Sequence, residues 1–417
     1  MTGPSAPAPV ALSRRNPGLW PLWAAFIAAH AGIAVAGWVL PSQPMGDVVH
    51  VYQPWARTAL GGGSVVGVTD TWVYPQLALL PMMLTQLLST PFAALVGPAP
   101  AYLMAWALLV TAGDALALVV LLGRGGGRRR LAAWFWIAAL LLLGPIALYR
   151  IDAVTVPLAV AGGIWLVRHP RFAAAALTVG AWIKIWPGAV LVAAVAAGRR
   201  PGRLVLVAAS ITGGIVVVLL LLAGDAAALL GFLTEQSGRG LQIEAVAATP
   251  LLWMVRAGAA RIEYSFDILT YQIVAPAAAT VAELTTPVMI LAVAGIVLLG
   301  IRQWRRGARW QQLLPPLALA LVTALIVTNK VGSPQFETWL IPPAIMWIVY
   351  DSRRAETAAA LVLLLCALTF AVYPLTYDGL LAAAPLPVLL LSVRNVMLVV
   401  LLVLGVRALL RTPVGRR

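Results

Sequence analysis

Polar and apolar positions fall in long blocks along this chain. Apolar runs of about 15 to 25 residues recur between short polar stretches. A helix rising 1.5 Å per residue needs about 20 residues to cross a hydrocarbon core of about 30 Å, so such runs read as membrane crossings. The runs at 19–40, 101–122, 131–149, 153–167, 204–223, 288–301, 313–328, 338–350, 357–373 and 396–410 are assigned that way. Two shorter runs, 172–183 and 188–198, would give only about 18 Å of helix each. They are expected to form a hairpin that turns within the membrane at Trp182-Ile-Lys184-Ile-Trp186-Pro187. The runs 77–96 and 382–391 are expected to lie on, or dip into, the outer leaflet. The predicted fold is an all-α polytopic membrane protein with about twelve crossings.

Composition agrees and removes the alternatives. Of 417 residues, 62% are apolar and only 10% are charged, and the mean hydropathy is +0.94. A soluble domain is nearer one quarter charged, so a soluble enzyme, a disordered chain and a disulfide-stapled secreted fold are excluded. The net charge of +15 would suit nucleic acid only if basic residues were mixed with polar ones on a solvated face. Instead, 21 of the 29 cations sit in clusters between apolar runs, as at Arg128 to Arg130, Arg302 to Arg309 and Arg353/Arg354. Lys and Arg mark cytoplasmic loops because they resist translocation. With every cluster cytoplasmic, each intervening segment leaves and returns, and both termini stay inside.

The expected organisation is a cytoplasmic tail at 1–18, one transmembrane domain at 19–411 and a short cytoplasmic tail at 412–417. Within the domain, 41–100 forms a first extracytoplasmic loop and 224–287 a larger extracytoplasmic region. The first run is too long for a signal-peptide core and reads as a retained helix. No internal repeat is visible.

The outward side then holds most of the polar chemistry: 11 of the 14 carboxylates and the eight cations outside the clusters. Cys366 is alone, and His30, His50 and His169 are far apart, so no metal site is expected. The first loop opens Met45-Gly-Asp47-Val-Val-His50-Val-Tyr52-Gln-Pro-Trp55-Ala-Arg57. A carboxylate at a membrane boundary can act as a general base on a hydroxyl. Asp47 also stands where an N-capping residue would, between Gly46 and a helix-compatible stretch.

The Gly-Asp47 motif after the first helix, the Tyr52 and Trp55 that follow, and Leu60-Gly-Gly-Gly63 resemble the GT-C glycosyltransferases. More narrowly they are similar to actinobacterial family 87 enzymes, which use polyprenyl-phosphate sugars. Tyr149-Arg-Ile-Asp152, Lys184-Ile-Trp-Pro187, Arg239-Gly-Leu-Gln242-Ile-Glu244 and Ser333-Pro-Gln-Phe-Glu-Thr-Trp339 extend the likeness over about residues 20 to 400. The resemblance implies a GT-C fold and Asp47 as catalytic base. It also implies a polyprenyl-phosphate donor with mannose first and arabinofuranose second. The acceptor would be a glycolipid such as a phosphatidylinositol mannoside, or a lipoglycan. Some mannosyl relatives use a His late in the chain; none follows His169 here, which leaves Gln335 or Glu337 as candidates for its place.

A phosphate leaving group needs cations, because charge builds on it as the glycosidic bond breaks. Lys184, Arg239, Lys330 and Arg150 are the candidates. Each has a structural alternative: Lys184 an ion pair with a carboxylate such as Asp152, Arg239 an exposed loop position, Lys330 a helix end, and Arg150 a pair with Asp152 across their turn. Sugar or acceptor contacts are expected from His50, Tyr52, Trp55, Gln242, Glu244, Gln335 and Glu337. Trp72 and Trp339 are further stacking candidates, although most of the 16 Trp belong to interfacial belts. No Asp-x-Asp pair occurs, and no cofactor is expected. Asp114, in mid-helix, instead points to the rival class, a lipid-linked-sugar flippase or other transporter.

Overall fold

The computed structural model describes residues 18–123, 125–224, 231–232, 238–265 and 270–415, without the side chains of 199–201. Arg14, Arg15, Arg124, Asp225, Glu235, Asp267 and most of the two expected tails lie outside the described residues. The chain is a mostly helical bundle. Among the described residues, nine helical segments are long and apolar enough to cross a membrane.

The first half runs α1 (Trp20–Val39), α2 (Gln53–Leu60), α3 (Leu79–Ser89), α4 (Pro98–Leu122), α5 (Gly127–Leu143), α6 (Ile151–Trp165), α7 (Pro170–Ile183) and α8 (Pro187–Ala196). Then follow α9 (Arg199–Ala223), α10 (Thr249–Arg256), α11 (Ala278–Arg305), α12 (Trp310–Val327), α13 (Ile341–Phe370) and α14 (Pro385–Leu410). Proline stands at the first or second position of α1, α4, α7, α8 and α14, where its missing N–H is no loss.

The core gathers around α12, α5 and α13. α13 lies along α5, α12 packs on α14, and α6 packs on α7. Gly162 of α6 allows that approach, and Gly163 lets α6 come close to α13. A Cβ at Gly162 would sit 2.7 Å from Leu177, and one at Gly163 2.5 Å from Met346. α9 and α11 are the least covered of the long helices.

Several boundaries differ from expectation for identifiable reasons. The runs 382–391 and 396–410 are one helix, α14, because Arg394-Asn395 breaks the apolar pattern yet is buried and paired. The division between the runs 338–350 and 357–373 is kept, since α13 is two helices that meet at a backbone break at Asp351 (φ −152°, ψ 76°). The 76–96 stretch is a chain of short pieces around α3, although its length and composition would also allow a crossing. α11 begins ten residues earlier than the apolar run that marked it. The all-α reading also omits a hairpin, β1 (Arg261–Ser265) with β2 (Thr270–Val274), paired antiparallel from Arg261↔Val274 to Ser265↔Thr270. Its alternating aromatic and β-branched residues fit a pleated surface.

The turns sort into two ends. At one, Arg128 donates to the Tyr350 carbonyl at 3.3 Å, Arg354 to Ala408 at 2.7 Å and Gln303 to Leu410 at 2.8 Å. These are the turns rich in arginine. At the other end the turns after α1, α5, α7 and α12 meet one another, and there the candidate residues converge.

Candidate functional site

Asp47 begins the helical segment that leads through a π-helical turn, Val48–Tyr52, into α2. Its backbone is already helical (φ −59°, ψ −37°), and its side chain makes no capping hydrogen bond. The carboxylate instead points to Arg150, with Oδ2 3.4 Å from Nε, and its side chain remains 43% exposed. A capping Asp would have turned back on its own backbone. This one is held out from it.

Arg150 precedes α6 in extended conformation and is buried. Its partner is Asp47, not Asp152 as the turn spacing suggested. Asp152, in the first turn of α6, is fully buried. It accepts the Trp339 indole N–H at 2.6 Å, and its other oxygen lies 3.7 Å from Lys184 Nζ. Lys184 ends α7 in extended conformation and stands over the Tyr74 ring, 4.5 Å from its centre. Trp339 stacks on Trp186 with ring centres 5.9 Å apart and planes within 11°. Trp186 in turn donates to Thr155 at 2.9 Å.

Arg239 belongs to the same neighbourhood, acting electrostatically on Lys184, Tyr74 and Lys330. Burial and the Arg239 charge together push the Lys330 ammonium below its ordinary range. Two cations held close at a partly buried position raise each other's cost and favour an arriving anion. The segment around them is tied down by the Gln242 amide N–H, which donates to the Lys330 carbonyl at 3.0 Å, and by the Gln242 side chain, which donates to Thr270 at 2.9 Å.

The other candidates divide by exposure. His50 is exposed one turn beyond Asp47, and Trp55 is half-buried, edge-on to Trp72 (5.2 Å) and Tyr74 (6.2 Å). Tyr52 is fully buried against Trp106, and its hydroxyl accepts the Ile151 N–H at 3.3 Å. Gln242 and Gln335 are buried as well.

Glu244 and Glu337, each 1% exposed, belong to a buried ion cluster and not to a sugar-facing surface. Arg394 donates to the Glu244 carboxylate at 3.0 Å and to its backbone carbonyl at 2.7 Å. The same guanidinium lies 3.8 Å from Glu337. Burial pushes the Glu244 carboxyl up, against the opposing pull of Arg394.

Tyr74, Tyr373 and Arg394 were not singled out by spacing. Arg394-Asn395 carried a signal, since a charge inside an apolar run usually has a partner. Tyr74 and Tyr373 carried none. Asp114 is paired with His30 of α1 at 3.1 Å, not with a Lys or Arg. Among the described residues no three His, Cys, Asp or Glu side chains gather in a way that would hold a metal ion. Comparison with protein-family models, with curated proteins and with solved structures finds no match to this chain.

Proposed function

We propose that the chain is an inverting membrane glycosyltransferase of the GT-C type. It moves a sugar, mannose first and arabinofuranose second, from a polyprenyl-phosphate donor to a glycolipid or lipoglycan acceptor. The observation that carries the reading is Asp47: a half-exposed carboxylate, not used as a helix cap, in the same cluster as Lys184, Arg239 and Lys330. Carboxylate and cations are what acceptor deprotonation and phosphate departure separately require.

In this reading the donor enters sideways from lipid, with its phosphate against Arg239, Lys330 and Lys184. Asp47 accepts the proton of an acceptor hydroxyl. The freed oxygen attacks the anomeric carbon from the face opposite the phosphate, the carbon–oxygen bond to phosphate breaks, and the configuration inverts. A β-linked mannosyl donor thus gives an α-mannoside. In this reading the arginine-rich turns, which lie at the opposite end, are cytoplasmic, as the positive-inside rule expects, and the reacting end faces outward.

The test is transfer in detergent or nanodiscs from polyprenyl-phosphate-mannose or polyprenyl-phosphate-arabinofuranose to a phosphatidylinositol mannoside. Product from one donor, lost in Asp47→Asn, is the expected result; turnover retained in that variant would remove Asp47 as base. The buried His30–Asp114 pair is the observation that leans toward a flippase or transporter. Movement of a lipid-linked sugar across liposomes, unaffected by Asp47→Asn and lost in Asp114→Leu, would favour that reading instead.

A further inference from the structure

We infer that Arg150 and Tyr373 are positioning residues for Asp47, and that Arg150 is not a ligand of the donor phosphate. The inference rests on the reading of Asp47 as base. Arg150 Nη1 donates to the Pro44 carbonyl at 2.7 Å and to the Tyr149 carbonyl at 3.0 Å. Its Nη2 donates to the Tyr373 hydroxyl at 3.2 Å, and its Nε faces Asp47 at 3.4 Å. The Tyr373 hydroxyl in turn donates a hydrogen bond to the Ser42 carbonyl at 3.0 Å. Three points of one short segment, at Ser42, Pro44 and Asp47, are thus gripped by two side chains from distant parts of the chain.

The segment needs that grip. Ser42 and Gln43 both sit in the left-handed region, at φ 58° and 46°, where side chains other than glycine are costly. Such a conformation persists when outside contacts over-determine it. Most of the guanidinium's donors are already committed, and the residue is only 6% exposed. A phosphate would have to displace the carboxylate that the reaction uses.

Tyr373 extends the frame to the far end of the chain. It lies in the segment Ala371–Leu375 that follows α13, at a break where its own backbone is extended (φ −131°, ψ 122°). Ser42 Oγ adds a bond to the Pro374 carbonyl at 3.2 Å. The loop that carries Asp47 is therefore fixed against two elements, the start of α6 and the end of α13.

Two readouts test this, one of them independent of activity. The native Cys366 is buried, so His50→Cys gives an exposed thiol for a nitroxide label three residues from Asp47. Tyr373→Phe and Arg150→Gln should sharpen its electron paramagnetic resonance spectrum, with Arg150→Lys in between. Unchanged spectra in Tyr373→Phe and Arg150→Gln would overturn the inference. In the background that keeps His50, the same variants should lower kcat by about 10- to 100-fold with the donor KM within about twofold, because small misplacements of a reacting group cost that much. A raised donor KM at unchanged kcat would make Arg150 a phosphate ligand and overturn it. Tyr373→Phe removes one oxygen, so it carries the test if Arg150→Gln does not fold. Absence of transfer from any donor by the unmodified protein would count against the proposed function, while the label spectra still decide whether the loop is held.

Discussion

Lys184 Nζ lies 3.7 Å from the fully buried carboxylate of Asp152 and 4.5 Å from the centre of the Tyr74 ring. The pair is asymmetric. Asp152 has a second partner in Trp339, whereas Lys184 keeps some exposure and feels the like charge of Arg239. The carboxylate holds the ammonium in place without taking up all of its hydrogen-bonding capacity.

Removing one side of this pair strands the other. Asp152→Leu is expected to destabilise by about 3 kcal/mol or more, because a buried charge is left alone. Asp152→Leu combined with Lys184→Met should recover part of that loss. Unfolding midpoints in detergent for the two singles and the double measure it. A double variant no better than the singles would show that Trp339, and not Lys184, is the partner that matters.

Lys184→Ala separates the two roles of the lysine. On the phosphate reading it raises the donor KM several-fold, beside the loss of stability that stranding Asp152 brings. A fall in the unfolding midpoint with donor affinity unchanged would assign it to structure alone.

The depressed ammonium of Lys330 gives a pH dependence with a definite sign. A lysine whose pKa is lowered loses its charge earlier as pH rises, so donor affinity should decline at a pH below the ordinary lysine range. Arg239→Ala removes one of the two causes. It should weaken binding at neutral pH yet move the alkaline decline upward, which donor binding measured against pH in both proteins would detect. A decline that stays in place would exclude coupling between Arg239 and Lys330.

The intramembrane pair between α1 and α4 allows a sharper test. His30 Nδ1 is 2.9 Å from the Phe26 carbonyl and therefore carries a proton. Its Nε2, 3.1 Å from Asp114, then either shares that carboxylate's proton or bears one itself. In both cases the pair is neutral overall, as a low-dielectric site favours. Asp114→Asn can still donate to Nε2 and is expected to cost about 1 kcal/mol. Asp114→Leu leaves the imidazole unpaired and should cost about 2 kcal/mol more. Equal losses in the two variants would mean that the carboxylate charge itself is required.

Gly332 meets the backbone of Glu244 and Ala245 so closely that a Cβ has no room, and backbone cannot rotate aside as a side chain can. Gly332→Ala should separate the Gln242–Lys330 backbone bond, at a cost of about 2 kcal/mol or more. It should also weaken donor binding through Lys330. A stable variant with full donor affinity would show that the two segments part easily.

Much of the bundle was legible beforehand because burial in lipid is set locally. The starts and ends of α1, α4, α7 and α8 fall within a few residues of the apolar runs that marked them. Where the local rule failed, a tertiary partner had changed the cost of a polar residue. α14 was divided in two because Arg394 looks prohibitive in an apolar run until Glu244 is known to face it. Asp114 was legible as a carboxylate in an apolar run, but its partner His30, 84 positions away, was not. Asp47 was legible as a candidate with capping as its alternative on spacing, and only the direction of its side chain, toward Arg150, removes the capping reading.

By itself the sequence determined that this chain lives in a membrane, roughly where its helices run, and that its arginine-rich turns form one class. Those properties depend on stretches of composition, since transfer of each segment into hydrocarbon is nearly a sum over its own residues. The tertiary structure decided the partnerships: Arg150 with Asp47, Asp152 with Lys184 and Trp339, and Glu244 with Arg394. Three of these four pairs join residues more than a hundred positions apart, and each depends on how distant segments pack side by side. A charge buried at such a contact is tolerated only where its counterpart arrives, and no local pattern records which counterpart that is.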